Sequence, residues 1–178
     1  MADDQWDGIW TLIAFTFPES WGSQRHVLRS RLTWGGFGML QSGLWIAPGQ
    51  VDVQALLDGS GFSDHVNVFS SRTEKPTDEE DMVRHAFDLP AIASRYRKFL
   101  ERWETGNPLP TAHDDLARQL VLHTDWLNVV RADPRLPARH LPGDWPAYRA
   151  QAVFLQRNSE YAERASALAD KIIETIEA

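Results

Sequence analysis

WTLIAFTFP, residues 10–18, is an apolar run of aromatic and β-branched residues closed by a proline, the pattern of a buried strand. The segments after it set the topology. Ser23 stands where a helix cap is expected, ahead of Val27, Leu28 and Leu32 on one side and Arg25, Arg29 and Arg31 elsewhere, and the pattern stops at the glycines of WGGFG (34–38). GFGML (36–40) and GLWIAP (43–48) are two short apolar runs parted by Gln41 and Ser42, a hairpin arrangement. VDVQALLDG (51–59) reads as a short amphipathic helix with a glycine stop, and HVNVFSS (65–71) alternates as a half-buried strand does. The order is βαββαβ, that of a ferredoxin-like fold.

Beyond residue 72 the texture changes. An acidic segment, TEKPTDEED (73–81), leads into helical patterns, so the expected division is a ferredoxin-like module at 1–74 and an all-helical module at 75–178, an α+β chain. Thr77 and Glu80 have capping-box spacing. Leu89, Ile92, Tyr96, Phe99 and Trp103 form an apolar stripe with Arg95, Lys98 and Arg102 on the other side. Leu116, Leu120, His123, Leu127 and Val130 suggest the next stripe, and Phe154, Tyr161, Ala165, Leu168 and Ile172 the last. A proline-punctuated stretch, DPRLPARHLPGDWP (133–146), separates these two helices.

Composition removes several function classes. At 178 residues the chain holds one domain or two small ones, and 43% apolar with 24% charged residues is ordinary for a folded protein. Acids outnumber Lys and Arg by 25 to 18, and a net charge of −7 argues against a footprint spread along nucleic-acid phosphates. Without cysteine there is no disulfide, thiolate-held metal or thiol nucleophile. MADDQWDGIW carries acids where a signal peptide needs positive charge, and no apolar run reaches ~18 residues, so no membrane association is expected and the expected location is cytoplasmic. Eight tryptophans and eight phenylalanines are available to fill a core or to line a pocket for an aromatic ligand.

Three segments, WDGIWTLIAFTFPES (6–20), GFGMLQSGLWIAP (36–48) and DPRLPARHLPGDWPAYRA (133–150), resemble the PaaX family of bacterial regulators, the last with three prolines and an Asp-Trp-Pro at fixed offsets. The resemblance implies a Cas2-like domain of ferredoxin-like fold, a helical carboxy-terminal domain, an aryl-acyl-CoA ligand and a homodimer. Members also carry an amino-terminal winged helix for DNA. The few residues before Trp6 offer no recognition helix, so direct specific DNA binding is not expected of this chain.

Two functional readings stay open. In one, the chain is a small-molecule binding and dimerisation module taking an aromatic or aryl-acyl-CoA-like ligand. Arg25, Arg29 and Arg102 would then meet phosphates or a carboxylate, and Trp45, Trp103 and Trp126 the aromatic part. Each of these has a plainer reading, as a solvated helix face or a core aromatic. In the other, the chain is a stand-alone, cofactor-independent acid–base enzyme, such as one condensing or cyclising an aromatic amine in the Pictet–Spengler manner. Its groups would be Glu19, Glu101, His123 and Asp125. His123, on an apolar stripe beside Asp125 and Trp126, is either a hydrogen-bonded core residue or a buried general acid–base. No cofactor motif appears and no metal site is expected. The strand end Ala14–Phe17 offers no carboxylate for a Cas2-type nuclease metal.

Overall fold

Trp10–Phe15 forms β1 at the interior of a four-stranded antiparallel sheet. The computed structural model describes residues 6–177, with side chains through residue 170. The amino-terminal acids Asp3 and Asp4 and the side chain of Ile172 lie outside the described residues. The other strands are β2 (Gly38–Gln41), β3 (Leu44–Pro48) and β4 (Val66–Ser71), in the order β2-β3-β1-β4. Helix α1 (Gly22–Trp34) joins β1 to β2, and α2 (Val53–Leu57) joins β3 to β4. The connectivity is that of the ferredoxin-like fold.

The pleat divides the sheet's side chains between two cores. Ile13, opposite Trp45 and Val68 in the ladders, lies on the side of α1 and α2. It is buried there with Phe17, Leu28, Leu32, Phe37, Val53, Leu57 and Phe62. On the reverse side Trp10 and Ile46 pack with Met82, Val83, Phe87 and Leu136. Met82 and Val83 belong to α3 (Glu79–Ala86), which lies beside β2. Gly38 permits that approach: a Cβ there would stand 2.5 Å from Ala86 O and 2.6 Å from the Phe87 ring.

Three local expectations are corrected. Ser23 does not cap α1: Trp21 is the N-cap without a side-chain bond, and the Ser23 hydroxyl donates to Gln24. Asp78, not Thr77, caps α3 by accepting from the Asp81 N–H. β4 is less buried than its alternation suggests. Val68 is 47% and Phe69 54% exposed, because β4 is the sheet's edge and its neighbouring elements do not close over it.

The helical part contains α4 (Leu89–Trp103), α5 (Asp115–Val130) and α6 (Ala147–Glu177). α4 buries Ile92, Tyr96, Phe99 and Trp103, as its stripe requires. In α5 the buried positions are Leu122 and Val129, while Leu120, His123 and Leu127 are exposed. The apolar residues of LARQLVLHTDWLNVV permit two phases a part-turn apart, and the fold buries the one carrying Leu122 and Val129, with Trp126 half-buried on the same side. α5 and α6 run antiparallel, with Asp115 near Arg164, Gln119 bonded to Asn158 and Trp126 stacked on Phe154.

Two compact units result. One extends as far as Leu89 and takes in Arg131–Gly143; the other comprises Pro90–Val130 and the chain from Asp144 onward. The first therefore runs past the composition change at residue 74, since α3 supplies the cover for one face of its sheet, and it recovers Leu136 from a distant stretch of sequence.

Candidate functional site

In the helical unit, α4 and α5 bring four of the expected ligand or catalytic residues together. Asp125 Oδ2 accepts from Arg102 Nη1 and from Trp103 Nε1, each at 2.9 Å. Trp103 is fully buried, so this carboxylate satisfies an indole N–H that has left water. Next to it, the half-buried Trp126 stacks on Phe154 with ring centres 4.8 Å apart and planes 13° from parallel. Phe99 approaches Trp126 at 5.4 Å and Tyr96 at 6.5 Å. The result is an aromatic platform, partly open to solvent, beside an Arg–Asp pair. Lys98 and Arg95 follow Arg102 back along the exposed side of α4.

His123 does not join Asp125. The two are two positions apart on α5, and His123 turns to α6, where its Nε2 lies 2.7 Å from Asn158 Oδ1. It is exposed, contrary to the buried imidazole expected from the stripe, and its ring stands 5.5 Å from that of Phe154. Glu101 is exposed on α4. Among the described residues, neither is hydrogen-bonded to the Arg102–Asp125 pair as a second acid–base group.

The remaining expected residues lie in the sheet unit. Trp45 is 6% exposed within the core, and its Nε1 is buried without a partner among the described residues. Arg25 Nη2 donates to Phe17 O at 2.7 Å and Pro18 O at 3.1 Å, tying the first turn of α1 to the segment that follows β1. Its guanidinium is thus engaged by backbone carbonyls. Arg29 and Glu19 are exposed. Among the described residues no three His, Asp or Glu side chains gather as a metal site.

Sequence reasoning missed the most connected polar group of the sheet unit. Glu79, at the start of α3, accepts from Trp10 Nε1 (2.9 Å) and Thr73 Oγ1 (2.8 Å) on one oxygen and from Arg139 Nη2 (2.7 Å) on the other. Burial works to raise its pKa, but the hydrogen bonds from Trp10 and Thr73 and the charge of Arg139 prevail and hold it below the ordinary value. His140 Nε2 is 3.8 Å from the same carboxylate and accepts from Arg139 Nε at 3.2 Å, the arrangement of a neutral ring. Burial lowers its pKa against the opposing pull of Glu79. Trp6 and Trp10 flank the imidazole at 5.3 and 5.8 Å, and Arg139 lies over Trp6 at 4.3 Å. Glu79 therefore clamps DPRLPARHLP onto the sheet unit. The one available signal was the density of proline, Arg and His in that stretch; its partner, 60 residues earlier, leaves no local periodicity.

A family model of the PaaX protein central Cas2-like domain matches residues 3–83, and one of the PaaX-like protein C-terminal domain matches residues 87–171. The chain is similar to the Transcriptional repressor PaaX of Escherichia coli (strain K12), 28% identical over an alignment 185 positions long that takes in 96% of this chain and 57% of that protein. It thus spans little more than half the length of that curated relative. The solved structure of the uncharacterized protein Rv0674 from Mycobacterium tuberculosis shares the fold, with a TM-score of 0.70 over 91% of this chain and 64% of that one at 23% identity. Among the described residues no helix is long and apolar enough to cross a membrane. The two adjoining family matches, on a ferredoxin-like unit followed by helices, place the chain in the PaaX family.

Proposed function

We propose that the chain is a regulatory module of the PaaX type, acting in the cytoplasm as a homodimer that binds an aromatic or aryl-acyl-CoA-like small molecule. The observation that carries this reading is the half-buried Trp126–Phe154 stack beside Arg102. An aryl group would extend the stack, while Arg102, Lys98 and Arg95 would meet the anionic part of the ligand. Membership of a family whose curated relative is a repressor supports the regulatory sense of the binding.

Isothermal titration calorimetry with phenylacetyl-CoA and with CoA alone tests it. The wild type should bind the aryl thioester, Trp126→Ala should weaken that binding about tenfold or more, and CoA alone should bind less well. No binding of the thioester at millimolar concentration, or equal binding by the Trp126→Ala protein, would overturn the reading.

A further inference from the structure

Helix α5 carries two apolar rows, and the core takes only one of them. The other is the stripe Leu116, Leu120, His123, Leu127 and Val130, whose central members Leu120, His123 and Leu127 are exposed. α6 carries a matching row at the same three- and four-residue spacing: Tyr148, Ala152, Leu155, Ser159, Ala162 and Ser166, all exposed. Both rows lie on one side of the helical unit. Asp125 bonds to α4 through Arg102 and Trp103, and Arg157 reaches Trp103 O and Thr105 O at the carboxy-terminal end of that helix. Residues two positions apart on a helix point nearly opposite ways, so Leu127 and Leu155 face away from α4. His123, 2.7 Å from Asn158 Oδ1, ties the two rows together at their middle. Leu120, Leu127, Tyr148 and Leu155 are between 47% and 62% exposed, and no position in either row carries a charge, although 24% of the chain's residues do. A continuous uncharged face on so charged a chain marks an interaction surface.

We infer that a second copy of this chain packs on this face, with α5 of each copy lying antiparallel over α6 of the other in a bundle of four helices. That copies associate at all rests on the homodimer proposed above; the surface is read from the helices. Side-chain size selects a second copy as the occupant. Gln119 and His123 both meet Asn158, and Trp126 meets Phe154, so Leu120 lies level with Ser159, His123 with Leu155 and Leu127 with Ala152. A two-fold axis parallel to the helices keeps these levels and exchanges the rows. Each leucine of α5 then stands over a small residue on α6 of the other copy: Leu116 over Ala162, Leu120 over Ser159 and Leu127 over Ala152, knobs into holes. Leu155 stands over the His123 ring. The rows run together for about 20 Å. Two chains of net charge −7 repel over much of their surface, but this uncharged strip brings no like charges into the contact. The bundle also covers His123, the burial that its place on an apolar stripe calls for.

The absence of native cysteine makes the register measurable. Under mild oxidation a mixture of Leu127→Cys and Ala152→Cys chains should form a mixed disulfide, because packed helices ~8–10 Å apart hold facing residues within disulfide reach. Either variant alone should stay unlinked, since its own mate lies across the diagonal of the bundle. Light scattering after size exclusion should give the Leu120→Glu, Leu127→Glu chain half the particle mass of the wild type, with unchanged circular dichroism. Ala152→Glu, which fills a hole with a charge at an exposed position, should do the same and carries the test if the leucine variant loses helix. A wild type of single-chain mass would overturn the assignment and leave the face to a helix of another protein. A mass unchanged in both variants, or linking of Leu127→Cys alone as readily as of the mixture, would overturn it as well. Calorimetry on the same proteins keeps the two proposals apart: a single-chain wild type that binds phenylacetyl-CoA sinks the bundle alone, and a bundled particle that does not bind sinks the ligand reading alone.

Discussion

Glu79 is held by Trp10 from β1, by Thr73 from the segment after β4 and by Arg139 from the stretch after α5, with His140 beside it. Replacing it with alanine leaves the N–H of a tryptophan that is 1% exposed without a partner. Glu79→Ala should cost about 1–3 kcal/mol, seen as a lower midpoint in thermal or urea unfolding followed by circular dichroism. The pH dependence has a definite sign. The pKa of Glu79 is depressed in the folded chain, so its contribution is present above the ordinary carboxylate range and is lost as pH falls through the folded value. The pKa of His140 is also depressed, by burial, with Glu79 and Glu80 opposing and Arg139 assisting. The folded state thus favours the neutral ring, and stability falls as pH drops below the ordinary histidine value of 6.5. Melting temperature should therefore decline on acidification from pH 7, and His140→Gln should flatten the decline near pH 6 while leaving the loss at lower pH. An unchanged profile in His140→Gln would assign the upper part of the decline elsewhere.

At the level of elements, the strands and the inward face of α4 were legible because each rests on a local pattern: the run at 10–17, the paired runs around Gln41 and Ser42, and the stripe from Ile92 to Trp103. The phase of α5 was not legible. Leu116, Leu120 and Leu127 compete with Leu122, Trp126 and Val129, and the choice is made by tertiary packing that leaves no trace in the local pattern. Glu79 escaped notice for the same reason, since its partners are separated widely in sequence and meet only in the fold. The sequence offers Asp125 for acid–base work, and in the fold it joins α5 to α4 through Arg102 and the buried Trp103. Asp125→Ala should lower stability by about 1–3 kcal/mol, and Trp103→Phe, which removes the N–H while keeping the ring, should make Asp125→Ala less damaging in a double-mutant cycle. Gly38→Ala tests the contact of β2 with α3. The added methyl meets Ala86 O and the Phe87 ring, so unfolding experiments should show a loss of about 1–3 kcal/mol from overpacking.

For the whole molecule, the PaaX family supplies the frame: a Cas2-like unit whose sheet carries a core on each side while β4 stays largely exposed, and a helical unit with a half-open aromatic platform. The stretch DPRLPARHLPGDWP, the most specific part of the resemblance, carries Arg139 and His140 to Glu79 and then Asp144 and Trp145 into the helical unit, where Asp144 lies 3.9 Å from Arg97 and Trp145 is 6.3 Å from Tyr96. Binding of an aryl thioester by the helical unit is decided by native mass spectrometry of the whole chain incubated with phenylacetyl-CoA, with liquid chromatography following the thioester. The expected result is a complex carrying one intact thioester per chain, recovered chemically unchanged, and sharply reduced in Trp126→Ala. A chain that stays bare at millimolar thioester, or one that converts it, would show that the platform is no sensor of this ligand.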